Sequence, residues 1–391
     1  MTRQPSEISL IKADNPAACY RARWIVRSSR RVVENGYLEV EGGKIRRISQ
    51  TRPSGDIIDL GPGVIMPCLV NAHLHLELSA LKGRLKFDRG FTAWVQELLA
   101  VREALGIEKL QAAADRAAAE LALQGTGVIG EISTLGITRE TVEGLAGIWF
   151  REVLGGICPD PALEKKGELS FSEAGHAPHT TSPEVLRAMK ARTLSQNLVF
   201  SIHLAESEAE SRFLDEGRGQ WADFLASRGI DVSSWPVGNT TPVQYLDRLN
   251  ILDDKTLAVH LLRMDGKDLD ILAGTGTRVC LCPRSNRNLH RILPDIRSML
   301  DRGIAPALGT DSLASCDSLN MFEEMAFVRH NYPELAPETV LDLATVNGAE
   351  SLGLSHCFGS LDSGKQPVFL YIDLEAANRT QIIESLTNNE I

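Results

Sequence analysis

Two rhythms divide the chain. Residues 22–27 (ARWIVR), 36–50 (GYLEVEGGKIRRISQ) and 56–67 (DIIDLGPGVIMP) alternate apolar and polar positions, with Gly, Pro and Asn as punctuation between them. That alternation predicts a small antiparallel β unit. From Val64 onward, short apolar runs alternate with longer helical stretches. The runs are 65–75 (IMPCLVNAHLH), 126–133 (TGVIGEIS), 147–155 (GIWFREVLG), 198–206 (LVFSIHLAE), 256–262 (TLAVHLL), 277–283 (TRVCLCP) and 304–312 (IAPALGTDS). Between them lie amphipathic stretches at 93–105, 109–124, 182–193, 294–303 and 321–330. A strand followed by a helix, repeated, predicts parallel strands joined by right-handed crossovers. With a weaker run near Leu169–Ala177 the units number about eight, which favours a closed (β/α)8 TIM-like barrel over an open sheet.

Residues 360–376 (SLDSGKQPVFLYIDLEA) revert to strand chemistry and are expected to pair with the first β unit. The expected organisation is therefore α/β: a barrel over 66–353, and a small discontinuous β-sandwich built from 1–65 and 354–391.

Composition narrows the class. Hydrophobic residues are 43% and charged residues 24%, the balance of a chain that buries a core. The formal net charge is −10. Residues 1–65 carry 11 basic and 7 acidic side chains and 354–391 carry 2 and 5, so the two ends sum to +1 and the barrel holds −11. A nucleic-acid binder concentrates positive charge instead. The seven cysteines are odd in number and scattered, which fits a reduced, cytoplasmic setting rather than a disulfide framework. The opening residues have no apolar signal region, and no run approaches the ~20 residues that span a bilayer. A small molecule, with neither nucleic acid nor membrane, is the expected partner, and a homodimer is left open.

His73-Leu74-His75 closes the first barrel run. On a strand, i and i+2 face one way, so both imidazoles can reach one ion. His203, His260 and, in the weaker unit, His176 also fall at run ends, and Asp311 closes the last run. In a barrel the strand C-termini open onto one face, so these positions converge. Two histidines from the first strand, one from a later strand and a carboxylate from the last make a site for one divalent metal, Zn2+ or Fe2+. Such an ion lowers the pKa of water toward neutrality. Glu206, just past the run holding His203, is placed to shuttle protons to a ring nitrogen and to leaving ammonia. His260 can orient the water or stabilise the tetrahedral state.

These residues resemble the amidohydrolase superfamily, in its aminohydrolase branch of cytosine, guanine and adenosine-type deaminases and triazine chlorohydrolases. The resemblance rests on His73-Leu74-His75, His203-Leu204-Ala205-Glu206, His260 and Gly309-Thr310-Asp311-Ser312. It also rests on Pro67-Cys68-Leu69-Val70-Asn71-Ala72, His176-Ala177-Pro178, Cys282-Pro283-Arg284-Ser285-Asn286 and the closing 359–365. It implies that His73, His75, His203 and Asp311 bind the metal, that Glu206, His260 and Asp311 are catalytic, and that one ion suffices, since no lysine stands at the fourth strand. His176 is then a substrate contact.

Within the branch, 75–79, 91–95, 282–287 and 310–315 are most similar to the aminodeoxyfutalosine deaminases of menaquinone synthesis. Deaminases of S-adenosylhomocysteine and methylthioadenosine follow closely. Glu103 aligns with a ribose-binding carboxylate, and Arg151 and Arg284 are expected near an acidic tail. Glu77 and Asn286 complete the expected substrate contacts. His179 stands where a tyrosine is common, changing the substrate wall. The rival readings are guanine or cytosine deamination, dechlorination on the same fold, thiolate zinc at Cys280 and Cys282, and an inactive barrel serving as a scaffold.

Overall fold

A computed structural model describes residues 8–13, 15, 17–161, 163–233 and 235–391. The apolar runs form eight parallel barrel strands: β1 (Leu69–Leu74), β2 (Thr126–Ser133), β3 (Ala146–Val153), β4 (Leu169–Gly175), β5 (Phe200–Leu204), β6 (Thr256–His260), β7 (Arg278–Leu281) and β8 (Ala307–Leu308). They pair in chain order. The ring closes between its first and last strands, where Asp311 N donates to His73 O at 3.1 Å and His75 N donates to Asp311 O at 3.2 Å. Every residue of β1, β2 and β5 is buried, as expected of strands covered on both faces. The helix Ile107–Leu123 shows how the outer ring attaches: Leu110, Ala113, Ala114, Ala117, Ala118 and Leu121 recur at helical spacing and are buried.

The weak fourth unit is a complete strand. Its signal was diluted by Ser170, Ser172 and Glu173, all buried. Ser172 Oγ donates to Val199 O at 2.5 Å, and Glu173 receives Arg192 from the following helix at 2.7 Å. Paired polar groups can occupy a strand interior that an apolar pattern would not reveal.

The run at 65–75 is two strands. Val64–Pro67 belongs to the small sheet, pairing antiparallel with Val368–Ile372 and parallel with Ala17–Ser28. Leu69–Leu74 opens the barrel, so the chain crosses between the two sheets at Pro67-Cys68. Val368–Ile372 also pairs with Ile8–Lys12, so the small sheet draws on both ends of the chain. The expected small β domain is thus present beside the barrel, and its seven described strands form one hydrogen-bonded sheet. That sheet curls: Ile45 N donates to Lys365 O at 2.9 Å, and Gly364 N to Ile45 O at 2.8 Å. The chain then ends in a helix, Arg379–Thr387, packed on the barrel helices Met321–Asn331 and Pro337–Leu343. No described helix is long and apolar enough to cross a membrane.

Candidate active site

The strand ends assemble a histidine cluster. His73 and His75 project from the end of β1, and His203 lies within β5. Their Nε2 atoms form a triangle with sides of 3.2, 3.3 and 3.3 Å. A tetrahedral ion at about 2.0–2.1 Å from three imidazole nitrogens needs them roughly 3.3 Å apart, so the triangle fits a metal. His203 Nδ1 donates to the carbonyl of His176 at 2.7 Å, which leaves its Nε2 lone pair for a ligand bond. Burial holds His73 well below the ordinary imidazole range and brings His75 down to about 4, so both are neutral near pH 7.

Asp311 faces this triangle. Its Oδ2 accepts from Ser285 Oγ at 2.5 Å and Ser315 Oγ at 3.0 Å, while Oδ1 lies 3.7 Å from His75 Nε2. His260, the last residue of β6, accepts at Nδ1 from Asn286 Nδ2 at 3.0 Å, which puts its ring proton on Nε2. Burial lowers its pKa as well, against the pull of Glu206 and Asp311. Glu206 lies just beyond β5, its Oε1 3.9 Å from His260 Nε2 and 3.0 Å from His290 Nε2. Burial opposes the Glu206 charge, but His260 and the hydrogen bond from His290 outweigh it and hold the carboxyl below its usual range.

Ala205, His260 and Asp311 all have positive φ, at 53°, 80° and 61°. Non-glycine residues in such conformations cost about 1–3 kcal/mol each and cluster where function constrains the backbone. Each turns the chain sharply off a strand end. Glu210 supports one of these turns, accepting from the N–H of Ala205 at 3.0 Å and of Glu206 at 2.7 Å.

Beside the cluster opens a cavity of about 350 Å³. His75, His203, Glu206, His260 and Asp311 line its floor, and His176 and His179 its side. His176 Nδ1 pairs with Thr180 Oγ1 at 2.7 Å, and His179 packs on Trp221 with ring centroids 5.0 Å apart. One wall is the helix Phe91–Leu105, presenting Phe91, Trp94, Val95, Leu98, Leu99 and Arg102. Trp221, Phe224 and Arg228 face it.

Several expected contacts lie elsewhere. Glu103 is exposed and does not line the cavity, being one residue off the stripe that ends at Arg102. Arg151 is outside the lining too, with Nη1 donating to Asp160 O at 3.0 Å. Arg284 is buried among Asp317, Glu323 and Glu324. Glu77 is buried and accepts from Ser133 Oγ and from the N–H of Thr134 and Leu135. Asn286 is buried beneath His260 rather than beside a substrate. Cys280 and Cys282 are buried, and burial pushes the Cys282 thiol far up, which opposes a thiolate ligand.

Three further residues belong to the cavity or its support: Arg102, His290 and Glu152. Glu152, on β3, accepts at Oε2 from Thr134 Oγ1 at 2.6 Å. Its Oε1 has no hydrogen-bond partner and stands 3.6 Å from His203 Nδ1. With His176 and His203 it makes a second group of closely spaced ligand atoms.

A barrel whose strand ends carry a three-histidine cluster, a facing aspartate and a neighbouring glutamate defines a metal-dependent hydrolase. The chain belongs to the amidohydrolase family, whose model matches residues 64–391. It is a hydrolase acting on C–N bonds other than peptide bonds. Over 386 residues it is 28% identical to a 5-methylthioadenosine/S-adenosylhomocysteine deaminase of Nitratidesulfovibrio vulgaris, covering 90% of this chain and 82% of that protein. It is 30% identical to the aminodeoxyfutalosine deaminase of Deinococcus radiodurans over 316 residues, 74% of this chain and 73% of the relative. The fold matches a zinc-bound adenosine deaminase of Xanthomonas campestris with a TM-score of 0.79 and 22% identity, covering 95% and 88% of the two chains.

Proposed function

We propose that this protein is a metal-dependent deaminase of adenine-type nucleosides, and that its substrate carries an aromatic, anionic tail, as aminodeoxyfutalosine does. The deaminase reading is supported by the named relatives and by the chemistry of the floor. His73, His75, His203 and Asp311 would hold a divalent ion, zinc or ferrous iron, which when bound would supply water activated near neutral pH. His260 Nε2–H donates a hydrogen bond toward the attacking oxygen. Glu206, ionised at rest, takes one proton from the attacking water and passes it to the ring nitrogen beside the reacting carbon, and Asp311 takes the other, which goes to the amino group. The new C–O bond forms, the C–N bond breaks, and ammonia leaves. His176 is proposed as a contact to the purine.

One observation carries the choice of tail. Arg102 stands on the wall of an aromatic cavity with no ion-pair partner among the described residues. An unpaired guanidinium beside apolar walls recognises a carboxylate. The lining carboxylates, Glu152, Glu206 and Asp311, all lie within 4 Å of a histidine of the floor. None is left at the outer wall for the ammonium of an amino-acid tail, which disfavours S-adenosylhomocysteine. Methylthioadenosine deamination remains a second reading, favoured by the 28% identical relative.

The test is ammonia release from aminodeoxyfutalosine, methylthioadenosine, S-adenosylhomocysteine, adenosine, guanine and cytosine, with wild type and Arg102→Met. Aminodeoxyfutalosine is expected to lead, and losing a hydrogen bond to charge, about 1.5–3 kcal/mol, should cut its kcat/KM roughly 10–150-fold. Methylthioadenosine should be nearly unaffected. Turnover of free bases alone would refute the nucleoside reading, and equal losses on both nucleosides would refute the role of Arg102.

A further inference from the structure

We propose that His290 is the positioning residue for Glu206, fixing the carboxylate so that one oxygen is anchored and the other is free to carry the proton. This rests on the reading of Glu206 as the proton carrier.

The backbone around Glu206 does not fix its side chain. The residue lies after the end of β5 and before the helix Glu208–Glu216, in neither element. Its carboxylate has one hydrogen-bond partner among the described residues, His290 Nε2 at 3.0 Å from Oε1. His260 is 3.9 Å away, beyond hydrogen-bonding distance. The contact is nearly dry, with side-chain exposures of 5% for His290 and 12% for Glu206. Phe91 packs on the His290 ring, centroids 4.8 Å apart, and limits its swing. Oε2 has no hydrogen-bond partner among the described residues and is the oxygen able to exchange a proton with substrate.

The helix Pro283–His290 explains the placement. Ser285 holds Asp311, Asn286 holds His260, and His290, one turn beyond Asn286 on the same face, holds Glu206. One helix thus orients Asp311, His260 and Glu206, the three side chains with a catalytic part in the proposed reaction.

The experiment uses the metal-loaded full chain, with aminodeoxyfutalosine and methylthioadenosine as probes. His290→Ala is expected to lower kcat by about 10–100-fold, the range for lost outer-shell partners, with KM and metal content close to wild type. The acid limb of the kcat profile should move to higher pH, because Glu206 loses the donor that favours its charged form. His290→Gln, which keeps an N–H donor, and imidazole added to His290→Ala should each restore part of the loss. A His290→Ala enzyme within about twofold of wild-type kcat, or a loss that neither Gln nor imidazole relieves, would overturn the proposal. Glu206→Gln in the same assay tests the reading beneath it: near-wild-type turnover there would remove Glu206 from the mechanism whatever the His290 variants do.

Discussion

Ser285 Oγ donates to Oδ2 of Asp311 across 2.5 Å, turning Oδ1 toward His75. Ser315 reaches the same Oδ2 at 3.0 Å, so the carboxylate cannot rotate without breaking two hydrogen bonds. Ser285→Ala should reduce kcat or metal affinity by about 10–100-fold while the protein stays folded. Steady-state kinetics combined with metal analysis would show it, and an unaltered enzyme would mean that Ser315 alone suffices.

Arg284 belongs to the scaffold. Its buried guanidinium meets Asp317, Glu323 and Glu324, and the backbone N–H of Arg284 donates to Glu324 Oε1 at 2.9 Å. Arg284→Met removes the cation beside the fully buried Glu324; above about pH 7, where Glu324 is ionised, that costs about 3–5 kcal/mol in comparable pairs. Denaturant unfolding should register that loss. The KM for nucleosides should hold, because Arg284 does not line the cavity.

Glu324 also sets a pH dependence. Burial pushes its carboxyl up to about 7, against the pull of Arg284. The folded chain therefore holds a proton that the unfolded chain releases near pH 4.3. Stability from this group is present below that pH and is lost as pH rises toward about 7. Thermal unfolding followed from pH 5 to pH 8 should fall less steeply for Glu324→Gln than for wild type. Parallel profiles would assign the slope to another group.

Gly309 is the point where barrel closure and the histidine cluster meet. A Cβ there would sit 2.7 Å from His73 O and 2.9 Å from Cys280 Sγ. Gly309→Ala should destabilise the fold by about 1–3 kcal/mol, as overpacking does. The same clash pushes on His73, so the variant should also bind less metal, measured by elemental analysis after dialysis. Full metal content in a destabilised variant would separate the two effects.

The legible parts of the site were those tied to strand ends. Period-two geometry brings His73 and His75 to one side, and a parallel barrel collects His203, His260 and Asp311 on the same face. Helix phase was equally readable: Phe91, Trp94, Val95, Leu98, Leu99 and Arg102 form a helical stripe, and Glu103 lies about 100° off it. Applying that phase to the sequence would have chosen Arg102 over Glu103. Arg151 and Arg284 sit near strand ends, but their side chains leave the backbone toward Asp160 and Glu324, which a strand-end position does not specify. Asn286 and His290 are four apart on one helix face, a spacing visible in the sequence. What they hold is set by loops that return from β5 and β6, and no local pattern encodes that.

The strand Val368–Ile372, seated between Ile8–Lys12 and Val64–Pro67, has a consequence for biosynthesis. As the chain leaves the ribosome, the two early strands wait for a partner more than three hundred residues behind them. Pairings so distant in sequence form slowly, and unpaired strand edges invite association with other chains. The small sheet thus closes only after all eight barrel strands have been made, and a premature stop before Val368 would leave both edges open.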